Sequence, residues 1–119
     1  MAKNFANGAI VCLRGELGSG KTTLIQGIAK GLGIKRRINS PTFIIVRRYP
    51  RFWHIDLYRL KSLQEAKDIG IEEILEDAGS VVLIEWPEII DEILPKKRWE
   101  IRLESISNNE RRISVEALS

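Results

Sequence analysis

One cysteine and one histidine occur among the 119 residues, and each scarcity excludes something. A lone Cys12 forms no internal disulfide, and it sits inside an apolar run where a buried structural thiol is expected rather than a nucleophile. His54 has no second histidine or cysteine cluster beside it, so a transition-metal site lacks a ligand set; the expectation is a packed strand residue. No apolar run approaches the roughly 20 residues of a membrane span, and Met1 to Ile10 lacks the apolar core of a signal peptide. A cytoplasmic protein in a reducing compartment, with no membrane partner, is therefore expected. No N-K-x-D stretch is present to read guanine, which argues against a GTPase, and no separate lid segment marks a small-molecule kinase.

What is present describes an ordinary globular chain, 44% apolar and 29% charged, of a size for one domain over residues 1–119. The net charge of +3 is unevenly spread. Residues 1–55 carry ten Lys or Arg against the single acid Glu16, whereas residues 56–119 carry nine against fifteen. The basic groups Lys35 to Arg37 and Arg47, Arg48 and Arg51 exceed what one nucleotide needs. They suit either RNA or an acidic protein, or a solvated face.

The stretch GELGSGKTT holds the strongest signal. Gly15, Glu16, Leu17, Gly18, Ser19, Gly20, Lys21, Thr22 and Thr23 fit the phosphate-binding loop G-x-x-x-x-G-K-[ST]. Gly15, Gly18 and Gly20 let the backbone turn tightly with successive N–H groups directed at phosphate oxygens. Lys21 brings a full positive charge to the β- and γ-phosphates, and the Thr22 hydroxyl is placed to ligate Mg²⁺. The context agrees with the motif. Ala9 to Leu13 is a short apolar run suited to a buried strand, and Leu24, Ile25, Ile28, Ala29 and Leu32 share one helical face that ends at Gly33.

Beyond the first helix, Pro41 forbids helix through the turn-rich stretch Ile38 to Phe43. FIIVRRY and RFWHIDLY are β-prone runs separated by little more than Pro50, a plausible hairpin. Ser62 and Glu65 form a capping box that opens a helical stretch resuming through IEEILED. VVLI, Val81 to Ile84, is wholly apolar, as a parallel strand covered on both faces would be. PEIIDEIL follows as a helix with Pro87 in its first turn and Pro95 just past its end. WEIRLESIS and RRISVEAL alternate strictly and suggest a carboxy-terminal β-hairpin with one wetter face, joined through Ser107 to Asn109. The expected fold is a single-domain α/β P-loop nucleotide hydrolase, with a mostly parallel sheet flanked by helices.

Hydrolysis needs a metal-side carboxylate and a group that orients water. Glu85 directly follows VVLI, so a buried strand delivers it to the carboxyl edge of the sheet, where ligands bind in such folds. Asp56 ends another β-prone run. Glu85 is assigned to the Mg²⁺ side and Asp56, with Lys21, to catalysis; on sequence alone the two acids' roles are interchangeable.

LRGELGSGKTT, SPTF, HIDLYRL and LIEWPE, in this order and spacing, resemble the TsaE family of small P-loop ATPases in tRNA threonylcarbamoyladenosine synthesis. The resemblance runs from about Ile10 to the final hairpin. It implies Mg²⁺-dependent ATP hydrolysis, weak without partners, in support of TsaB and TsaD, with tRNA touched directly or indirectly. It also implies that Thr42 contacts metal or phosphate and that Trp86 lies beside the nucleotide. Two alternatives remain compatible with the same residues: a small-molecule kinase, and a nucleotide-switched binding module with negligible turnover. Members of the family usually carry an extra amino-terminal strand and helix that help hold adenine. With about nine residues before the first strand here, ATP, GTP and inorganic triphosphate are expected to compete within about tenfold.

Overall fold

The wholly apolar run becomes the middle of the sheet. In the computed structural model, which describes residue 5 and residues 8–15, 21–34, 45–107 and 110–119 (backbone alone for 21–23, 105 and 111), β4 (Val81–Glu85) is buried at all five positions. It lies between β1 (Ala9–Gly15) and β3 (Phe52–Asp56), parallel to both. On the other side of β1 runs β5 (Arg98–Ser105), again parallel. Two antiparallel strands close the edges, β2 (Val46–Tyr49) against β3 and β6 (Arg111–Leu118) against β5. The order is β2-β3-β4-β1-β5-β6. This is the mostly parallel sheet with a carboxy-terminal hairpin that the sequence predicts.

Successive side chains along a strand face opposite ways, and the two faces bury different helices. Val11, Leu13, Phe52, Val81, Leu83, Ile101 and Leu103 pack with Ile25, Ile28 and Ala29 of α1 (Lys21–Gly31). Ile55, Val82 and Ile84 pack on the opposite face with Ala66 of α2 (Leu63–Asp68), Ile71 and Ile74 of α3 (Ile71–Leu75), and Ile90. Helix α1 stops where its pattern predicts. Gly33 at φ +83 lets its N–H reach Lys30 O at 3.0 Å and lets the Ile34 N–H reach Ala29 O at 3.0 Å, the paired bonds that close a helix end through a left-handed residue.

Two elements differ in detail from their sequence expectations, and one interruption falls where the sequence places it. The Ser62 hydroxyl does accept the Glu65 N–H at 3.2 Å, but the Glu65 carboxylate returns to the Lys61 N–H at 3.0 Å rather than to that of Ser62. The helical stretch breaks into α2 and α3 at Gly70, whose φ of +87 no helix tolerates. The segment after β4 is a 3₁₀-helix, Pro87–Ile93, with non-helical backbone at Ile90. It must turn straight out of the sheet through Trp86, held at φ 57, and a short tight coil fits that exit. Among the described residues no helix is long and apolar enough to cross a membrane.

Candidate functional site

Parallel strands end together, so residues far apart in the chain meet at one edge. Asp56 is register-paired with Glu85 across β3 and β4, and Glu85 with Leu13 across β4 and β1. Two residues beyond Leu13, β1 ends at Gly15, and α1 begins at Lys21. The amino terminus of an eleven-residue helix, the positive end of its dipole, thus follows β1 in the chain after residues 16–20, which lie outside the described residues. Alternation puts His54, Asp56 and Glu85 on the α1 face, in line with Phe52 and with Val81 and Leu83.

Glu85 is 6% exposed, and a carboxylate so buried requires a partner. His54, 4% exposed, supplies it: Nε2 lies 2.8 Å from Glu85 Oε2. For the carboxylate to accept, Nε2 carries the proton, and this bond fixes the direction of the Glu85 side chain. His54 Nδ1 is buried with no hydrogen-bond partner among the described residues. The histidine expected as a packed strand residue is packed, and it also orients the acid that the sequence singled out. That role was invisible in the sequence because it depends on the register of two strands 31 residues apart. The H-x-D spacing, which sets both residues on one strand face, is the trace it leaves.

Asp56 has a different environment. Half-buried, its Oδ1 accepts the N–H of Tyr58 at 3.0 Å, so the carboxylate ties down the turn that follows its own strand. The Leu57 N–H donates to Glu85 O at 3.1 Å, which holds the same turn to the end of β4. Tyr58 then reaches across to Trp86, ring centroids 5.1 Å apart at an interplanar angle of 49°. The left-handed backbone of Trp86, unusual outside glycine, directs its ring to this edge instead of along β4.

On the opposite face of the sheet, Arg14 ties β1 to its neighbours. Its guanidinium pairs with Glu100 on β5, with Asp91 at 2.8 Å and with Glu88 at 3.4 Å, the last two on the 3₁₀-helix. Arg98 adds a second bond to Glu100 at 2.7 Å. Burial alone would raise the Glu100 carboxyl, yet the hydrogen bonds from Arg14 and Arg98 prevail and hold it below its ordinary value. The Arg14 guanidinium is pushed up in turn, first by its bond to Glu100. Next to it, Gly15 is held at φ +138 with the Leu103 carbonyl oxygen where a Cβ would stand. Crowding from β5 therefore demands glycine here, in addition to any demand from a phosphate. Burial pushes the Cys12 thiol up to about 12, which fits the structural role expected of it.

Gly15, Asp56, Glu85 and Trp86 thus gather at one edge, with the backbone of Lys21, Thr22 and Thr23 opening α1. Glu16, Leu17, Gly18, Ser19, Gly20 and Thr42 lie outside the described residues, as do Lys35 to Arg37. Among the described residues no three His, Cys, Asp or Glu side chains cluster as a closed metal site. Two carboxylates at paired strand ends fit Mg²⁺ nonetheless, because that ion is commonly held by one or two carboxylates together with phosphate oxygens and water.

Known proteins resemble this chain over most of its length. The family model described as threonylcarbamoyl adenosine biosynthesis protein TsaE matches residues 1–113. The tRNA threonylcarbamoyladenosine biosynthesis protein TsaE of Bacillus subtilis is 40% identical over 115 residues, covering 93% of this chain and 71% of that one. Its counterpart in Borreliella burgdorferi is 47% identical over 95 residues, covering 76% and 69%. The crystal structure of Bacillus subtilis YdiB superposes with a TM-score of 0.77 at 34% identity, over 99% of this chain and 76% of that one.

Proposed function

The chain belongs to the TsaE family of tRNA threonylcarbamoyladenosine biosynthesis proteins, and from that premise we propose that it binds and hydrolyses Mg²⁺-ATP to support this modification together with TsaB and TsaD. The observation that carries the reading is the pairing of Asp56 with Glu85 at the strand ends beside β1, where the Gly-Lys-Thr sequence opens α1. Backbone N–H groups of the loop and the Lys21 ammonium hold the triphosphate. Thr22 and Glu85 would hold Mg²⁺, which would supply positive charge to offset that of the phosphates.

The rest is work for side chains of this chain. His54 keeps Glu85 aimed at the edge, so the carboxylate is in place before the nucleotide arrives and loses no rotamer freedom on binding. Asp56 orients the attacking water toward the γ-phosphate, within reach of the turn it anchors. Trp86, in ring contact with Tyr58, lies beside the nucleotide, and Thr42 contacts metal or phosphate.

Phosphate release by the purified chain, alone and with TsaB and TsaD, tests the reading. Release that rises with the partners and vanishes in Lys21→Ala, with melting temperature unchanged, is the expected result, since Lys21 is the one Lys or Arg in GELGSGKTT. Activity retained in Lys21→Ala would overturn the phosphate-loop assignment. ATP bound without release in either setting would replace hydrolysis by a nucleotide-operated switch.

A further inference from the structure

The connection from β4 to β5 has to cross β1, because those two strands flank it in the sheet. Residues 86–97 make this crossing with a 3₁₀-helix instead of an α-helix, and its backbone is non-helical at Ile90. Hydrogen bonds of 3₁₀ geometry are poor, so side chains must fix where such a segment lies. A period of three residues sets Pro87 and Ile90 on one stripe of the coil and Glu88 and Asp91 on the next. Pro87 and Ile90 are buried. Glu88 and Asp91 bond the guanidinium of Arg14, on the strand being crossed, at 3.4 Å and 2.8 Å.

Of these partners Arg14 is the fixed one. Its side chain is 13% exposed and bonded to Glu100, which Arg98 holds as well, whereas Glu88 and Asp91 are each 53% exposed. The segment they steady begins at a strained residue. Trp86 stands at φ 57 and ψ 56, left-handed backbone for a residue with a Cβ, and such a conformation persists only where the structure on both sides dictates it. Upstream β4 dictates it, paired to β1 and β3 as far as Glu85. Downstream the tie from Glu88 to Arg14 comes two residues later. Arg14 follows Leu13, the register partner of Glu85, so it stands beside Trp86 where the chain leaves the sheet.

We propose that Arg14 is the positioning residue for Trp86: through Glu88 and Asp91 it holds the left-handed turn, and with it the indole, at the edge where the nucleotide is proposed to bind. The inference rests on that reading of the edge. Arg14 lies on the opposite face of the sheet and acts through the coil, not by touching the nucleotide. It also immediately precedes Gly15, so one residue of β1 places the start of the phosphate loop and, from below, the ring beside it. Loop and ring share a frame made by the protein itself. The ring is then in place before ATP arrives, and less freedom is lost on binding.

Glu88→Gln combined with Asp91→Asn tests this, since it cuts the tie at two exposed positions and leaves Arg14, Glu100 and Arg98 bonded within the sheet. An unchanged melting temperature confirms that the fold is retained. Ligand-free emission from Trp86, isolated by subtracting the same chains carrying Trp86→Phe, should move to longer wavelength as the ring gains water. The Kd for ATP, read by equilibrium dialysis, should rise about fivefold, the scale of two partly exposed ion pairs. At saturating ATP kcat should stay within about twofold, because Glu85 and Asp56 stand on strands that the change does not touch. In a Trp86→Ala chain the same two substitutions should leave ATP affinity unaltered, the non-additivity of groups that act only through the ring. Unchanged emission and affinity in the paired variant, or an equal loss of affinity with and without the indole, would overturn the inference and leave the nucleotide reading intact. An unaltered chain that binds no ATP would overturn both.

Discussion

The ends of β3 and β4 carry the same kind of side chain at the same height in the sheet, yet their surroundings give the two acids different properties. Glu85 is buried and bonded to His54, a side chain of the neighbouring strand. Asp56 is half-buried and bonded to the backbone of its own turn. The first is locked to the rigid centre of the sheet. The second is tied to the Leu57–Tyr58 turn and, through Tyr58, to Trp86. A carboxylate that must hold a cation in one place belongs in the first environment, and one that positions a water belongs in the second. The contrast is the ground on which Glu85 is proposed for the metal side and Asp56 for the water.

The largest effect expected is from Glu85→Gln, which keeps the size and an oxygen for His54 but loses the charge. Phosphate release should fall by about a thousandfold, as when one preorganised electrostatic group is removed, and the Mg²⁺ concentration needed for ATP binding should rise. Asp56→Asn should lower kcat by about a hundredfold, the scale of a water-orienting or general-base group. Its ATP affinity, followed by Trp86 fluorescence, should stay close to that of the unaltered chain. If Asp56→Asn shifts the Mg²⁺ dependence and Glu85→Gln does not, the roles are reversed.

His54→Ala tests whether the contrast is made by the neighbouring strand. It strands a buried carboxylate, so urea unfolding should show a loss of about 2–3 kcal/mol, the scale of a hydrogen bond to a charged group. His54→Gln, which can still donate, should recover part of it. A loss equal in both variants would mean that ring packing, and not the bond to Glu85, sets the position.

A smaller effect comes from the third acid of the region. Glu100 has its folded-state pKa lowered, because the bonds from Arg14 and Arg98 outweigh burial. Its contribution to stability is therefore complete above the unfolded value of about 4.3 and is lost as pH falls through the lower folded value. Urea midpoints measured from neutral to acid pH should decline across that window, and the decline should flatten in Glu100→Gln. An unaltered slope in that variant would assign the acid sensitivity to other carboxylates.

Much of this protein was written locally in the chain. The strand, glycine loop and helix around Lys21 depend on spacings of a few residues, and the Gly33 stop depends on one residue's freedom at positive φ. The central place of β4 follows from four consecutive apolar residues, Val81 to Ile84, and that in turn puts Glu85 at the ligand edge. The tight coil after Trp86 was less legible, since a left-handed residue turns the chain where periodicity alone would continue a helix.

What tertiary structure alone decided are the partnerships. Arg14 meets Glu100 across 86 residues and Asp91 across 77, and His54 meets Glu85 across 31. Such pairs depend on strand order and register, quantities set by the packing of the whole sheet rather than by any window of sequence. Composition and spacing determined which chemical groups the chain owns and which local shapes present them. The closing of six strands in one particular order determined which of those groups touch, because contact between distant residues is a property of the assembled core.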